Sequence, residues 1–277
     1  MVAHPIGRAI RALRGYARPV RTAPVHEVVE HIVASAGREP GGAIAFDGDG
    51  TLWSGDIGED FFGELVKSER ILEAAAEPIR REARAEGIDA TGAIAAVASR
   101  IHAAYLADEF PEERVCELMT WAFAGWSKSD MDAFAFDVLG RENLSARLHG
   151  EAIAVVTEAR AKGVRVCLVS ASPRSVVHAA AKIVGIDTKD VASATELCAT
   201  DGVVQADVDR PIPYGPGKVK HLRAMIGGAT PLYAAFGDNA FDVAMLREAK
   251  LGVAIRPKPR LVERAHEVPG LVVLERG

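Results

Sequence analysis

Residues 43–53 read Ala-Ile-Ala-Phe-Asp-Gly-Asp-Gly-Thr-Leu-Trp, a short apolar run that ends in two aspartates separated by one glycine. Four apolar residues before a Gly/Asp cluster predict a short buried strand, Ala43–Phe46. Strands of this kind belong to parallel sheets, whose ligands bind beyond the carboxyl ends of the strands. Asp47 and Asp49 therefore fall where an open α/β sheet carries out chemistry.

The glycines of this stretch predict a turn at the end of the strand. Gly48 and Gly50 permit the backbone to turn and bring both carboxylates to one mouth, where Thr51 can hydrogen-bond within the loop. A solvated surface turn is the alternative interpretation. A calcium loop of the EF-hand type is excluded, because its sixth position requires glycine and is Leu52, and its twelfth requires glutamate and is Gly58.

Three later segments place polar residues after a hydrophobic run or before a helix. They are Val164–Val169 followed by Ser170-Ala171-Ser172, the loop Tyr214-Gly215-Pro216-Gly217 followed by Lys218, and Pro231–Phe236 followed by Gly237-Asp238-Asn239-Ala240-Phe241-Asp242. With the first stretch they give DxDxT, Ser, Lys and GDNxxD, in that order. In these motifs the chain resembles the haloacid dehalogenase-like (HAD) superfamily of phosphohydrolases.

The resemblance is to the C1-capped, phosphoserine phosphatase-like group, and it implies an α/β fold. That fold is a Rossmann-like three-layer α/β/α core with a parallel sheet, plus an inserted all-helical C1 cap domain. The strand–helix rhythm after residue 150 predicts the same parallel sheet. We assign residues 1–24 to a basic N-terminal arm, 25–54 and 147–277 to the core, and 55–146 to the cap.

Local patterns predict helices in the cap and a hairpin in the core. The cap segment is rich in Ala, Glu and Arg and poor in strand signals. Its predicted helices are Asp56–Ser68, Ile71–Glu86, Gly92–Ala107, Glu112–Phe123 and Lys128–Leu139. In the core, Asp201-Gly202 predicts a hairpin turn between strands at 191–197 and 203–208.

The resemblance implies a role for each motif residue. Asp47 would be the nucleophile, and Asp49 would protonate the leaving oxygen and then take a proton from the attacking water. Asp49 argues against dehalogenation, because haloalkanoate dehalogenases of this superfamily lack the second aspartate. Ser170 and the Ala171 amide would bind the phosphoryl group, and Lys218 would supply a fixed positive charge.

Mg²⁺ is the implied cofactor, because the phosphoryl group brings negative charge to a negative nucleophile. The implied ligands are the side chains of Asp47 and Asp238 and the main-chain carbonyl of Asp49. Asp242 would ligate the metal or support its ligands.

Each downstream motif also has a purely structural interpretation. Asp238 and Asp242 could cap a helix, and Ser170 could be an N-cap, a role for which Ser172 competes. Lys220 is the rival of the motif lysine.

Composition and charge narrow the class of protein. The 277 residues are 49% hydrophobic and 26% charged with a net charge of −5, so nucleic acid is not an expected partner. Cys116, Cys167 and Cys198 have no CxxC spacing, which indicates a reducing compartment and no disulfide. No apolar run reaches the roughly 20 residues of a membrane span, and we see no secretory segment, so the cytoplasm is the expected location.

The N-terminal arm is basic up to His26. It carries arginines at positions 8, 11, 14, 18 and 21 and no acidic residue, and Pro5 and Pro19 bracket an amphipathic pattern. A helix that docks on its own domain or on a partner in a homodimer, a mobile tail and a membrane-surface anchor all stay open.

The segment after the first motif bears on the substrate. Asp56 falls where phosphoserine phosphatases carry a glutamate that binds the substrate amine, and Arg100 is the candidate counterpart of their cap arginine. Trp53 with Asp56 and Glu59 could instead receive a quaternary ammonium group. Packing of Trp53 in the core is the structural alternative.

We therefore expect a Mg²⁺-dependent phosphatase that hydrolyses a small phosphomonoester through an aspartyl-phosphate. The expected partner is a small phosphorylated metabolite, such as phosphoserine or phosphocholine, and the predicted substrate contacts are Thr51, Asp56, Ala171 and Asn239. A phosphotransferase of the same superfamily and a non-catalytic phosphate-binding or regulatory protein are the alternatives.

Overall fold

A parallel sheet organises the computed structural model, which describes residues 20–276. This sheet has seven strands within those residues. Their spatial order is β1 (Arg21–Ala23), β9 (Val272–Leu274), β8 (Gly252–Ala254), β7 (Leu232–Gly237), β2 (Ala43–Phe46), β3 (Arg165–Pro173) and β4 (Val191–Ala194). β2 lies between β7 and β3, and the strand order reverses there. Such a reversal opens a crevice at the carboxyl ends of the strands, where ligands bind.

Strand β2 is buried on both faces, and its alternate residues enter two separate cores. Ala43 and Ala45 belong to the apolar cluster on one face of the sheet. Ile44 and Phe46 belong to the cluster on the other face, where Phe46 stacks on Phe236 with ring centroids 4.0 Å apart. The uninterrupted apolar run therefore reflects burial on both faces of a central strand.

Helices cover both faces of the sheet. The cluster that contains Ile44 includes residues of α1 (Val25–Arg38), α8 (Gly150–Ala161) and α9 (Arg174–Val184). The opposite cluster includes residues of α10 (Pro216–Ile226), α11 (Val243–Glu248) and α12 (Pro259–Glu263). Short 3₁₀ helices lie at Thr188–Asp190, Ala240–Asp242 and Ala265–Glu267. The predicted three-layer α/β fold is confirmed, although the pattern reading missed α12.

Helices fill the chain between β2 and β3. They are α2 (Ile57–Lys67), α3 (Glu73–Ala85), α4 (Ile94–Leu106), α5 (Glu112–Trp121), α6 (Lys128–Arg141) and the single turn α7 (Leu144–Arg147). The five predicted helices are present, with ends within two residues of those predicted. The chain enters and leaves this helical insertion side by side, because Ser54 N donates to Arg147 O and His149 N donates to Leu52 O, each at 2.9 Å.

The predicted strand at 191–197 is wrong as a single element. It divides at Thr195 into β4 and β5 (Glu196–Cys198), and β5 pairs antiparallel with β6 (Val204–Val208). Glu196 is buried, and its Oε1 accepts hydrogen bonds of 3.0 and 2.8 Å from Arg174. A buried carboxylate requires such a partner, so the chain turns towards the arginine instead of continuing beside β3.

The hairpin of β5 and β6 is joined to the helical insertion. Gly125 N donates to Val204 O and Val204 N donates to Trp126 O, each at 2.9 Å. Main-chain hydrogen bonds therefore connect the insertion to residues that we assigned to the core.

The N-terminal arm lies largely outside the described residues, including the amphipathic pattern between Pro5 and Pro19. Within the described part, Arg21–Ala23 form β1, the edge strand beside β9, which we had assigned to the arm. None of the helices within residues 20–276 has the length and apolarity needed to cross a membrane.

Candidate active site

Four chain segments converge at the carboxyl ends of β2, β3 and β7. Asp47 follows β2, Ser170 lies in the last half of β3, and Asp238 follows β7. Lys218 comes from the first turn of α10, and Asp242 ends the 3₁₀ helix after β7. All five side chains are buried, so the four sequence motifs form one enclosed polar site.

The ammonium group of Lys218 links two of these carboxylates. Its Nζ lies 2.6 Å from Asp47 Oδ1 and 2.5 Å from Asp242 Oδ1. Burial alone would lower the pKa of Lys218, but the charges of Asp242 and Asp47 outweigh burial and raise this pKa above its ordinary value. The site therefore holds a permanent positive charge against Asp47.

The remaining carboxylates carry more negative charge than the lysine can balance. Burial, followed by the charge of Asp47, raises the pKa of Asp242 to about 6. Burial and the charges of Asp47 and Asp242 raise the pKa of Asp238 well above its ordinary value. Like charges so close together favour protonation or a bound cation.

Three buried carboxylates fit a metal ion. Asp47, Asp238 and Asp242 each offer an oxygen, and these atoms all lie within 4.8 Å of one another. Asp238 Oδ1 is buried and has no hydrogen-bond partner within residues 20–276. Both oxygens of Asp242 are engaged, because Oδ2 accepts from the main-chain N–H groups of Asp238 and Asn239, each at 3.0 Å. A hard cation with oxygen ligands is the group that such a cluster suits.

Gly50 makes room for this cluster. Its φ is +80°, and a Cβ built there would lie 2.1 Å from Asp238 Oδ2. A side chain at this position would therefore displace the carboxylate of Asp238. The glycine in the first motif is required by close packing as well as by backbone conformation.

Asp49 lies beside Asp47 and is held by donors from three places. Its Oδ1 accepts from Trp53 Nε1 at 2.8 Å and from Ile57 N at 2.7 Å. Its Oδ2 accepts from Ser172 Oγ at 2.7 Å. Burial, followed by the charge of Asp47, raises the pKa of Asp49, which favours a carboxyl group that can carry a proton.

The hydrogen bonds from Trp53 and Ser172 to Asp49 were not predicted from the sequence. Trp53 is fully buried, so its ring has no open face for an ammonium group, and its core packing is the interpretation that the structure supports. Ser172 was considered as a helix cap, but Pro173 holds the N-cap position of α9 and no side chain caps that helix. The bond from Ser172 joins residues far apart in the chain, and the bond from Trp53 depends on the direction of its side chain, which the sequence pattern does not reveal.

The predicted phosphoryl contacts lie at the end of β3. Ser170 Oγ accepts from Ser172 N at 3.1 Å, so its own hydrogen is available to donate. Ala171 is buried next to it in the strand.

The other predicted substrate contacts differ in their placement. Thr51 has no exposed surface and donates to Asp47 Oδ2 at 3.0 Å, so it orients this carboxylate and does not face the cleft. Asn239 caps the 3₁₀ helix through a 2.7 Å bond to Ala240 N and also lines the cleft. Arg100 donates to the main-chain carbonyls of Asp89 and Thr91, which ties its guanidinium to the loop before α4.

Asp56 lies at the N-terminus of α2, where it accepts from Glu59 N at 2.8 Å. Burial, followed by the charges of Asp49 and Glu59, raises the pKa of Asp56 well above its ordinary value. Glu59 has neighbours of its own, because His102, whose Nε2 lies 3.8 Å from Glu59 Oε2, and Tyr105 lower the pKa of Glu59 despite burial.

A cleft of about 380 Å³ lies between the insertion and the core, next to the buried site. Its walls are Tyr105, Leu106, Asp108, Glu112, Asn239, Lys258, Pro259 and Arg260. Lys258 was missed in the sequence, where it lies four residues beyond the end of β8, whereas Asp238 directly follows β7. Lys258 Nζ lies 3.0 Å from Asp238 Oδ2.

Comparison with known families agrees with this geometry. The family model of haloacid dehalogenase-like hydrolases matches residues 44–247, which contain every motif described above. The phosphoserine phosphatase SerB2 of Mycobacterium tuberculosis is 35% identical over 109 residues, covering 38% of this chain and 26% of that protein. The chain thus matches about a quarter of that relative's length.

Solved structures share the fold at low sequence identity. A Bordetella pertussis Tohama I protein of unknown function has a TM-score of 0.65 at 22% identity, covering 84% of this chain and 97% of that one. A HAD family hydrolase of Salmonella enterica serovar Typhi has a TM-score of 0.52 at 17% identity, covering 86% of this chain and 74% of that one.

Proposed function

The chain belongs to the haloacid dehalogenase-like hydrolases, and on that premise we propose that it is a Mg²⁺-dependent phosphatase acting on a small phosphomonoester. The observation that carries the proposal is the placement of Asp47. Its buried carboxylate contacts Lys218 and Thr51, lies beside Asp49, and forms the acidic cluster with Asp238 and Asp242. A nucleophile, a proton carrier and charge-balancing groups are therefore within reach of one phosphoryl group.

The reaction proceeds in two displacements. A carboxylate oxygen of Asp47 attacks phosphorus, the ester P–O bond breaks, and Asp49 gives its proton to the leaving oxygen. Water then attacks phosphorus, Asp49 takes the proton, and the bond between Asp47 and phosphorus breaks. Inorganic phosphate and the original carboxylate result, so the cycle closes.

Proton transfer is assigned to Asp49 because of its surroundings. Its raised pKa lets the carboxyl group hold a proton before the first displacement. Three donors fix its orientation, which leaves few alternative positions for the transferred proton.

Lys218, Ser170 and a bound metal ion would stabilise the negative charge of the transferred phosphoryl group. Lys218 holds its ammonium against Asp47, and Ser170 offers a hydroxyl hydrogen at the end of β3. Asp47, Asp238 and the main-chain carbonyl of Asp49 would hold Mg²⁺. The contacts of Asp242 with Lys218 and two main-chain amides favour a supporting role for it. The bound ion would supply positive charge for the phosphoryl oxygens.

The substrate class proposed is a phosphomonoester that carries a primary amine. Asp56 and Glu59 on α2 and Glu112 on α5 place acidic groups around the site and its cleft. Phosphocholine is disfavoured as the substrate, because its quaternary ammonium group was expected to contact the ring of Trp53, and Trp53 is buried. An ammonium that donates hydrogen bonds, as in phosphoserine, matches carboxylate acceptors better.

A phosphate-release assay tests the proposal. The purified protein is incubated with phosphoserine, phosphoethanolamine, phosphocholine, sugar phosphates and nucleotides, with Mg²⁺ and with chelator. Mg²⁺-dependent release is expected from an amine-bearing compound, and Asp47→Asn is expected to reduce it by about 10⁴-fold or more. Asp60→Asn, which removes an acid paired with Arg147 elsewhere in the insertion, is the control.

Two outcomes would redirect the proposal. Transfer of the phosphoryl group to an added alcohol instead of to water would indicate a phosphotransferase. A folded protein that binds phosphate and Mg²⁺ but releases no phosphate from any compound would favour a non-catalytic phosphate-binding role.

A further inference from the structure

The two carboxylate oxygens of Asp238 lie in different surroundings. Oδ2 lies 3.0 Å from Lys258 Nζ. Oδ1 is buried and has no hydrogen-bond partner among the described residues. One oxygen is therefore held by the protein, and the other is left for a ligand. Because Asp238 also belongs to the cluster of three carboxylates with Asp47 and Asp242, its free oxygen indicates a cation.

Lys258 is attached to Asp238 at two points. Besides the side-chain contact, its main-chain N–H donates to Asp238 O at 2.7 Å. Lys258 also occupies the N-cap position of α12, ahead of Pro259. The main-chain bond sets the distance from which the side chain reaches back to Asp238 Oδ2.

A second ion pair holds the preceding residues in place. Arg256 donates to both carboxylate oxygens of Glu151 on α8, at 2.8 and 3.2 Å, and Glu151 is buried. The backbone of Arg256 has a φ of 46°, which turns the chain sharply between β8 and α12. Lys258 is therefore presented from a loop that is fixed to the core.

We propose that Lys258 is a positioning residue for the metal ligand Asp238. It holds Oδ2 and thereby turns Oδ1 towards the cation. The proposal rests on the metal site of the proposed function and adds a residue outside the four motifs. In this role the side chain acts through Asp238, although its half-exposed position also lets it line the cleft.

An alternative role for Lys258 makes the opposite prediction. If the lysine served only as a counter-charge, it would repel Mg²⁺, and its removal would strengthen metal binding. If it orients Asp238, its removal weakens metal binding. The sign of the change in Mg²⁺ affinity separates the two roles.

The test is calorimetric titration of the full chain with Mg²⁺ alone, without substrate. Lys258→Met is expected to weaken Mg²⁺ binding about 10- to 100-fold, in line with outer residues that orient metal ligands. Lys258→Arg keeps the charge but alters the contact, and it is also expected to weaken binding. Lys250→Met is the matched control, because Lys250 lies away from the site. Its Nζ pairs there with Glu39 Oε1 at a distance of 2.7 Å.

Each result decides the matter. Unchanged or tighter Mg²⁺ binding by a folded Lys258→Met protein overturns the positioning role, as does unchanged binding by Lys258→Arg. Should the methionine variant fail to fold by circular dichroism, the arginine variant alone carries the decision. Absence of Mg²⁺ binding by the unsubstituted chain would overturn the metal site itself. The phosphatase activity is tested separately, by the phosphate-release assay.

Discussion

Trp53 Nε1 donates a 2.8 Å hydrogen bond to Asp49 Oδ1, so the residue that lies two positions before the helical insertion contacts the proposed acid and base. Ile57 N, in the first turn of α2, donates to the same oxygen. Ser172 Oγ donates to the other oxygen from the core. The orientation of Asp49 thus depends on how the insertion meets the core.

Removal of this indole N–H should reduce turnover. We expect Trp53→Phe to lower kcat about 10-fold and the free energy of unfolding by about 1–3 kcal/mol, because a buried carboxylate loses one of its three donors. Steady-state kinetics and urea unfolding would measure the two effects. Trp126→Phe is the control, because it removes a 3.2 Å bond to Arg70 O within the insertion. Equal losses of kcat in both variants would contradict the coupling.

A methyl group at Gly50 should disable the metal site. The added Cβ of Gly50→Ala would lie 2.1 Å from Asp238 Oδ2, so we expect Mg²⁺ affinity and kcat to fall at least about 10-fold. Gly41→Ala is a close control, with a φ of +85° and no atom within 4 Å of its Cβ. Both variants should lose about 1–2 kcal/mol of stability from the left-handed backbone. Intact Mg²⁺ binding by Gly50→Ala would show that the cluster tolerates the displacement.

The metal-free protein should become less stable as pH rises from about 4 to 6. Asp242 has a pKa raised from 3.8 to about 6 in the folded state, so the folded state binds more protons than the unfolded state across this interval. The group's contribution, on the order of 3 kcal/mol, is present at low pH and is lost as pH passes through the folded pKa. Asp238, whose pKa is also raised, acts in the same direction.

Urea unfolding at pH 4, pH 6 and pH 8, with chelator and with Mg²⁺, measures this dependence. Mg²⁺ should stabilise the protein more at pH 8, because the carboxylates are ionised there and a bound ion favours the folded state. In chelator, Asp238→Asn should flatten the dependence, because it removes one of the raised groups. A steeper dependence in that variant would contradict this account.

The substrate amine should be recognised by Asp56. We expect Asp56→Asn to raise KM for an amine-bearing substrate about 10- to 100-fold, since a hydrogen bond to a charged group is lost, and to leave an amine-free phosphomonoester nearly unaffected. Glu109→Gln, which alters an exposed acid of the insertion, provides the control. A proportional loss on both substrates would assign Asp56 to folding of α2 through its N-cap bond instead.

Convergence of the motifs was predictable because topology determines it. Asp47, Ser170 and Asp238 each lie at or near the end of a hydrophobic strand, and parallel strands bring such ends to one edge. The helices of the insertion were likewise predictable from their composition and periodic pattern.

The directions of side chains and the contacts between distant residues were not predictable from local patterns. Trp53 next to Asp49 looks the same in sequence whether its ring faces a ligand or the core. The predicted strand at 191–197 divides at Thr195, where Glu196 forms an ion pair with Arg174 of another element. Lys258 follows a strand of only three residues, Gly252–Ala254, which makes the end of that strand a weak signal.

The pairing of Gly125 and Trp126 with Val204 has a consequence for engineering. Exchange of residues 55–146 alone for a different insertion would strip β6 of main-chain hydrogen bonds and leave buried amide groups without partners. The portable unit is therefore discontinuous, because it must take the hairpin at 196–208 with it. A chimera that exchanges both residues 55–146 and the hairpin at 196–208 should fold. A chimera that exchanges residues 55–146 alone should be destabilised.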